Sequence, residues 1–209
     1  MRGIKLFLLA TIIAIGFLLL LCFFILTEYS QPCKPFKANL LKQEINFLIS
    51  IREAIPKYNL NYRNHIAFSN LNKDTIMVVV TSDDYTRKLM RDYYPDSLDH
   101  PVYGFLWYLK NPSENTIVGI KEKIEKQFGK KFEKRKFRFY ESKPWYYYHM
   151  KINDCVQITL KPDGNLTLLN DYWNIKSNAV KACIIGVYYN LSEDDVDSAT
   201  LTGGIYGRD

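Results

Sequence analysis

Basic residues dominate the chemistry that this sequence can support. Positions 121–143 hold ten lysines and arginines against four glutamates, a net charge of +6 that equals the formal charge of the whole chain. Aromatic residues interleave with them from Phe132 to Tyr148. Clustered cations beside aromatic rings bind anions such as nucleic acids, lipid headgroups or acidic proteins. The alternative is a pair of strands whose lysines are merely solvated. The residues expected to bind an anionic partner are Lys130, Lys131, Lys134, Arg135, Lys136 and Arg138.

Other reactive side chains are scattered along the chain. The three histidines, His65, His100 and His149, lie far apart, and the sequence has neither a metal-ligand spacing nor a glycine-rich phosphate loop. A hydrolase would have to use His149, Asp154 and Glu193, whose spacing forms no acid–base pair. The sequence therefore predicts no catalytic residue, no metal site and no cofactor.

The C-terminal third of the chain predicts a β-hairpin. Residues 156–160 alternate between apolar and polar side chains, as in a half-buried strand. Pro162, Asp163 and Gly164 then supply turn chemistry, because proline fixes φ, aspartate bonds its own backbone and glycine accepts a positive φ. Residues 166–169 are expected to return as a second strand.

Two cysteines flank this hairpin. Apolar residues recur at helical spacing across residues 177–191, which predicts a helix packed over the hairpin. Cys155 opens the hairpin and Cys183 lies on the predicted helix, so the two are placed to staple these elements together. In an oxidising compartment we expect them to form a disulfide.

This order of elements resembles the C-terminal periplasmic domain of TolA, a relative of the TonB C-terminal domain. The resemblance covers residues 115–191, and residues 120–128 are similar to the opening helix of that family. It implies a domain without catalytic residues that recruits partners through exposed sheet edges. The matching residues are Cys155, Leu160, Pro162, Asp163, Gly164, Leu166, Leu169, Ala182 and Cys183.

Residues 6–26 are predicted to form an N-terminal membrane anchor. They are 21 consecutive residues without a charge, and a helix of that length spans the roughly 30 Å hydrocarbon core of a bilayer. Arg2 and Lys5 precede the span and Glu28 follows it, which places the N-terminus in the cytoplasm. The absence of a small-x-small cleavage site favours an uncleaved anchor. We therefore expect a single-pass inner-membrane protein with a periplasmic C-terminal domain, where nucleic acid is not an expected partner.

The predicted anchor also limits the TolA analogy. No ionisable group lies between Lys5 and Glu28, and such a group would signal coupling to a proton-driven motor. The chain also lacks a long helical or proline-rich spacer. Proton-motive coupling is therefore not expected. Cys33, just after the span, has no predicted partner; it could join two chains as a disulfide-linked homo-oligomer or remain an inert exposed thiol.

The exported part is predicted to be α+β and to contain two α-β-β-α units, the second stapled by the disulfide. The predicted order is an anchor at 1–28, a first unit at 38–95, a connecting segment at 96–114, a second unit at 115–191 and a tail at 192–209. The first unit comprises a helix at 39–54, strands at 65–69 and 75–81, and a helix at 84–94. The second comprises a helix at 116–128, strands at 154–160 and 166–170, and a helix at 177–191.

Together these features predict a non-catalytic binding or adaptor protein of the cell envelope. The expected partners are an envelope protein, anionic lipid or lipopolysaccharide. Two alternatives stay open from the sequence: a membrane-anchored envelope hydrolase, and an immunity protein that antagonises an exported toxin.

Overall fold

The computed structural model describes residues 15–18, 36–63, 66–81, 97–136, 146–165, 181–193, 195–196 and 200. The chain divides into two compact units, residues 1–34 and residues 35–209. In the first unit residues 15–18 are helical, and the rest of the predicted anchor lies outside the described residues. In the described part of the chain, no helix is both long enough and apolar enough to cross a bilayer.

The second unit is built on an antiparallel sheet of eight described strands, preceded by a two-stranded hairpin. The hairpin strands are β1 (Lys37–Leu40) and β2 (Gln43–Asn46). The sheet strands are β3 (Asn61–Arg63), β4 (Ile66–Asn72), β5 (Thr75–Val80), β6 (Gly104–Lys110), β7 (Glu133–Lys136), β8 (Tyr146–Lys151), β9 (Val156–Asn165) and β10 (Lys181–Tyr189). They are ordered β3-β4-β5-β6-β10-β9-β8-β7 across the sheet.

The same unit contains two α-helices, α1 (Ile51–Tyr58) and α2 (Glu114–Phe128), and a 3-10 helix (Ser97–Asp99). The predicted α+β class is confirmed. The helices pack on one side of the sheet, where Met77, Trp107 and Ile185 lie opposite one another on β5, β6 and β10. These side chains share a buried core with Ile124 of α2 and Ala54 of α1. We call this side of the sheet the helix face.

The opposite side, which we call the far face, has its own buried core. Ile76, Tyr108 and Ile184 lie in register across β5, β6 and β10 there. Val196, in the segment that follows β10, is buried in the same core. Burying a large apolar side chain contributes roughly 1.5–3 kcal/mol, so both faces of the central strands favour being covered.

The end of α2 defines where the basic segment begins. The Ser113 side chain caps the first turn by accepting from the Thr116 N–H. Gly129 ends the helix at a φ of 65°, a left-handed conformation that glycine adopts without a Cβ clash. The chain therefore leaves α2 at a defined residue and enters β7 at Glu133.

Residues 181–189 form a strand, and the predicted helix over 177–191 is wrong. Cys183, Ile185 and Val187 face the helices, while Ala182 and Ile184 are buried on the far face. The segment is apolar at nearly every position, and such a run fits either a buried helix or a strand covered on both faces. Pairing with β6 and β9 decides between the two.

Pro162, Asp163 and Gly164 lie inside β9, so the predicted turn is also wrong. Gly164 pairs with Ala182 and Lys161 pairs with Ile184, which leaves two residues of β9 opposite one of β10. The result is a β-bulge. Proline is tolerated there because the ladder is locally interrupted and does not need the N–H that proline lacks. The predicted return strand at 166–170 lies outside the described residues.

The first predicted helix, at 39–54, is likewise replaced by other elements. Leu41 and Lys42 adopt φ values of 50° and 68°, and they connect β1 to β2 as a tight hairpin turn. Helix α1 begins only after Ser50, whose side chain forms a capping box with Glu53. The predicted helix at 84–94 lies outside the described residues.

Other elements agree with the sequence. The predicted strand at 75–81 is confirmed as β5, the helix at 116–128 as α2, and the strand at 65–69 overlaps β4. The apolar part of the connecting segment forms β6, which pairs with β5 and β10. Strands from both predicted units therefore belong to one sheet.

The predicted Cys155–Cys183 disulfide is not formed. Cys183 is a free, fully buried thiol, whereas Cys155 is disulfide-bonded. The carbonyl of Cys155 accepts from the N–H of Asn190, seven residues beyond Cys183 along the chain. At about 3.3 Å per strand residue, seven residues span roughly 23 Å, whereas disulfide-bonded Cα atoms lie within about 7 Å.

We expect the Cys183 thiol to be unreactive in the folded protein. Burial raises its pKa to about 12, so almost no nucleophilic thiolate forms near neutral pH. Alkylation of the native protein at pH 8 should leave Cys183 unmodified, and alkylation after unfolding should modify it. Non-reducing peptide mapping of Cys183→Ala should still find Cys155 oxidised. A peptide linking Cys155 to Cys183 in the unmutated protein would contradict the structure.

Candidate anion-binding surface

Strand β7 ends the described sheet and carries a charge at each of its four positions, Glu133 to Lys136. Because side chains alternate along a strand, these charges divide between the two faces. Lys134 and Lys136 lie opposite Tyr148 and Tyr146 on the helix face. A short, charged edge strand resists pairing with the edge of another copy of the same sheet. Among the described strands, β8 alone pairs with β7.

Aromatic rings of β8 support the lysines on the helix face. The Lys134 Nζ lies 4.6 Å from the centroid of the Tyr146 ring, and the Lys121 Nζ lies 5.2 Å from that of Tyr148. Tyr146 is 46% exposed. At exposed sites such cation–π contacts contribute roughly 0.5–1 kcal/mol, and they leave the charge of the lysine uncompensated. An anionic partner would therefore meet both a cation and an exposed ring here.

Lys131 compensates a buried carboxylate. Its Nζ lies 2.8 Å from Oε2 of Glu125, a residue only 6% exposed. The N–H of Phe132 donates to Oε1 of the same carboxylate, and the Lys121 Nζ lies 3.2 Å from it. Together these contacts lower the pKa of Glu125 from 4.5 to about 2 despite its burial, and the contact with Lys131 has the largest effect. Lys131 thus has a structural role that the sequence analysis did not assign.

Lys130 ties the end of α2 to the end of β8. Its Nζ donates to the carbonyl oxygens of Lys151 and Ile152 at 3.0 and 2.8 Å. It also borders an open groove of about 350 Å³ beside the end of α2. The groove is lined by Glu122, Glu125, Lys126, Gly129, Lys130 and Lys131. Of these, the exposed Lys126 has no ion-pair partner among the described residues.

Arg135 lies on the opposite side of β7 from Lys134 and Lys136. It faces Tyr147 across the strand pair and is 29% exposed. Its Nη1 donates to Oε2 of Glu193 at 3.2 Å, and its Nη2 lies 3.6 Å from Oε2 of Glu133. The guanidinium therefore interacts with carboxylates of the chain itself.

The structure brings five of the six predicted anion-binding residues to one end of the sheet, and Arg138 lies outside the described residues. Each of the three residues that a hydrolase would have used interacts with another side chain. His149 is buried and hydrogen-bonds Gln157, and Asp154 pairs with Lys151 on an exposed turn. Glu193 pairs with Arg135.

Two ion pairs of the basic residues were missed from sequence, for different reasons. The spacing of Lys121 and Glu125 is that of an i,i+4 pair on one helix face, so this pair was detectable. The contact between Arg135 and Glu193 joins residues 58 apart and has no local sequence signal. Only the packing of the segment after β10 brings these two together.

Comparison with models of protein families, with curated proteins and with solved structures finds no significant match to this chain.

Glu125 should make folding stability depend on pH below its ordinary pKa. Its pKa is lower in the folded protein than in the unfolded chain, so its contribution is present above about pH 4.5 and is lost as the pH falls towards 2. Chemical unfolding across this range should show a shallower loss of stability for Glu125→Gln than for the unmutated protein. Glu122→Gln, on the same helix, serves as a control. Identical slopes for the Glu125 variant and the unmutated protein would contradict the prediction.

Proposed function

We propose that this chain is a non-catalytic binding protein of the cell envelope that recognises an anionic partner through β7 and the neighbouring end of α2. The observation that carries the proposal is the state of Lys134 and Lys136. Both are exposed on an edge strand, and neither has an ion-pair partner among the described residues. Their charges are available to a partner, which is an envelope protein, anionic lipid or lipopolysaccharide.

Internal contacts divide the basic residues into two groups. Lys131 and Arg135 pair with carboxylates, and Lys130 donates to backbone carbonyls. Lys134 and Lys136 are the members of the predicted set that make neither an ion pair nor a hydrogen bond from their ammonium groups to the described residues. Binding at the helix face therefore depends mainly on these two, with Lys126 at the groove extending the cationic surface.

The geometry of β7 also suits strand addition. Its outer edge pairs with none of the described strands, so an extended peptide could pair with the backbone N–H and C=O groups there. The strand carries three cations against one anion, so a second copy of β7 is repelled while an acidic strand is attracted. Charge thus selects the kind of chain that can add to this edge.

The resemblance to TolA-like domains supports only one part of the proposal, which is strand addition as the mode of recognition. The hairpin turn, the disulfide and the last helix that carried the resemblance are replaced in the structure by a bulge, a free thiol and a strand. The proposal therefore rests on the basic surface. Display outside the cytoplasm rests on the predicted anchor, residues 6–26.

Reversing the two exposed lysines should abolish most of the binding. We expect Lys134→Glu/Lys136→Glu to weaken association with an anionic ligand about tenfold or more. Added salt should weaken the association of the unmutated protein with the same ligand, because charges are screened over about 8 Å at physiological ionic strength. The measurement is titration of the full-length protein, in neutral detergent, against mixed micelles of the same detergent containing phosphatidylglycerol and against a glutamate-rich peptide. Thermal stability should change little, since exposed charges contribute little to folding.

The matched control is Lys42→Glu/Lys73→Glu, which makes the same charge change at two exposed hairpin turns. Equal losses of binding in both double variants would show an effect of net charge alone. If neither ligand binds the unmutated protein at low salt, the proposed function is rejected.

The anchor should keep the protein in the membrane fraction with its folded unit outside the cytoplasm. The expected observations are resistance to alkaline carbonate extraction, an N-terminus not cleaved within residues 6–26, and digestion by protease added to intact spheroplasts. A mature N-terminus beyond residue 26, or protection from protease until the spheroplasts are lysed, would contradict the predicted topology.

A further inference from the structure

The contact between Arg135 and Glu193 shows what chemistry the basic strand accepts. Oε2 of Glu193 lies 3.2 Å from Nη1 of Arg135, and the two side chains are 48% and 29% exposed. Glu193 belongs to the segment after β10, which is acidic from Glu193 to Asp195. The chain therefore places one of its own carboxylates on the guanidinium of its basic edge strand.

Buried contacts hold that segment in place on the far face. The Gln157 side chain donates to the carbonyl of Leu191 and also bonds His149. Further along, the buried Thr200 hydroxyl bonds both Thr159 and Tyr188. These polar contacts anchor the segment on both sides of Glu193.

The local backbone then directs Glu193. Ser192 and Asp195 form a reciprocal cap, in which each side chain bonds the backbone N–H of the other. Glu193 is the first residue after the cap. Its position beside β7 is thus fixed by the fold, whereas its ion pair with Arg135 is partly exposed to water.

We propose that Glu193 is an intramolecular competitor for the partner of this surface, and that the partner is an acidic polypeptide segment. The inference rests on the proposed function and specifies its ligand. A carboxylate already occupies Arg135, so a second carboxylate can replace it without any change in the chemistry of the contact. An extended segment lying along β7 presents side chains to both faces, so it reaches Arg135 on one face and Lys134 and Lys136 on the other.

The strength of the competition follows from the exposure of the pair. For a half-exposed ion pair, the ratio of molecules with the pair formed to molecules with Arg135 open is no more than about five. The apparent dissociation constant is the intrinsic value divided by the fraction of molecules with Arg135 open. Removing the Glu193 carboxylate should therefore tighten binding by a factor of one plus that ratio, which is about two- to sixfold.

The test compares Glu193→Gln with Asp99→Asn in the full-length protein in neutral detergent. Asp99 is a matched control, because its carboxylate is also 48% exposed and lies 2.9 Å from an arginine, Arg52, that is not part of the basic strand. The probe is a synthetic peptide of alternating glutamate and threonine, about ten residues long, which is enough to cover one strand. Each variant is also combined with Arg135→Gln, and thermal melting checks that the segment after β10 stays folded.

We expect Glu193→Gln to bind the peptide about two- to sixfold more tightly than the unmutated protein, and more tightly than Asp99→Asn. In the Arg135→Gln background the effect of Glu193→Gln should disappear, since a double-mutant cycle isolates the pair.

Equal effects of Glu193→Gln and Asp99→Asn, or a gain that persists without Arg135, would overturn the competition while leaving the proposed function intact. Binding to mixed micelles containing phosphatidylglycerol but not to the peptide would overturn the choice of an acidic polypeptide. Binding to neither would reject the proposed function itself.

Discussion

Burial of both faces of β5, β6 and β10 is the constraint on which the rest of the structure depends. Their apolar side chains alternate between the two sides of the sheet, so each side needs a cover. Helices α1 and α2 supply one cover, and the segment around Val196 contributes to the other. Polar and charged residues are then displaced towards the margin of the sheet. Strand β7, which is charged at every position, lies at such a margin.

The same constraint separates the roles of neighbouring basic residues. A strand period of two sends Lys134 and Lys136 to one face and Arg135 to the other. The loop between α2 and β7 turns Lys131 onto the buried Glu125, whose charge requires a nearby cation. Neighbouring basic residues thus differ in their surroundings, because Lys131 and Arg135 pair with carboxylates of the chain while Lys134 and Lys136 have no ion-pair partner among the described residues.

Covering the far face also determines the charge at the edge of the sheet. The segment after β10 docks through Gln157, Thr159 and Thr200, and this places Glu193 beside Arg135. Core packing and the proposed binding surface are therefore linked through one short stretch of chain. A mutation that weakens the docking of this segment would alter the basic surface without touching it.

Local signals in the sequence were sufficient for some elements. The capped, amphipathic α2 and the β-branched run of β5 have one dominant interpretation, and the concentration of charge near β7 was evident from composition. The placement of five basic residues at one end of the fold follows from their proximity in sequence. For these features, short-range chemistry and tertiary structure agree.

Tertiary structure alone decided the elements whose local chemistry is ambiguous. The apolar run of β10 satisfies helical and strand patterns equally, and only its neighbours β6 and β9 select the strand. Pro162 and Gly164 suit a turn, yet β9 uses this stretch as a bulge because the ladder to β10 continues past it. The separation of Cys155 from Cys183 follows from that pairing. Sequence determined which residues are apolar, charged or turn-forming, whereas the partners of each strand, set by burial across the whole sheet, determined which of those residues meet.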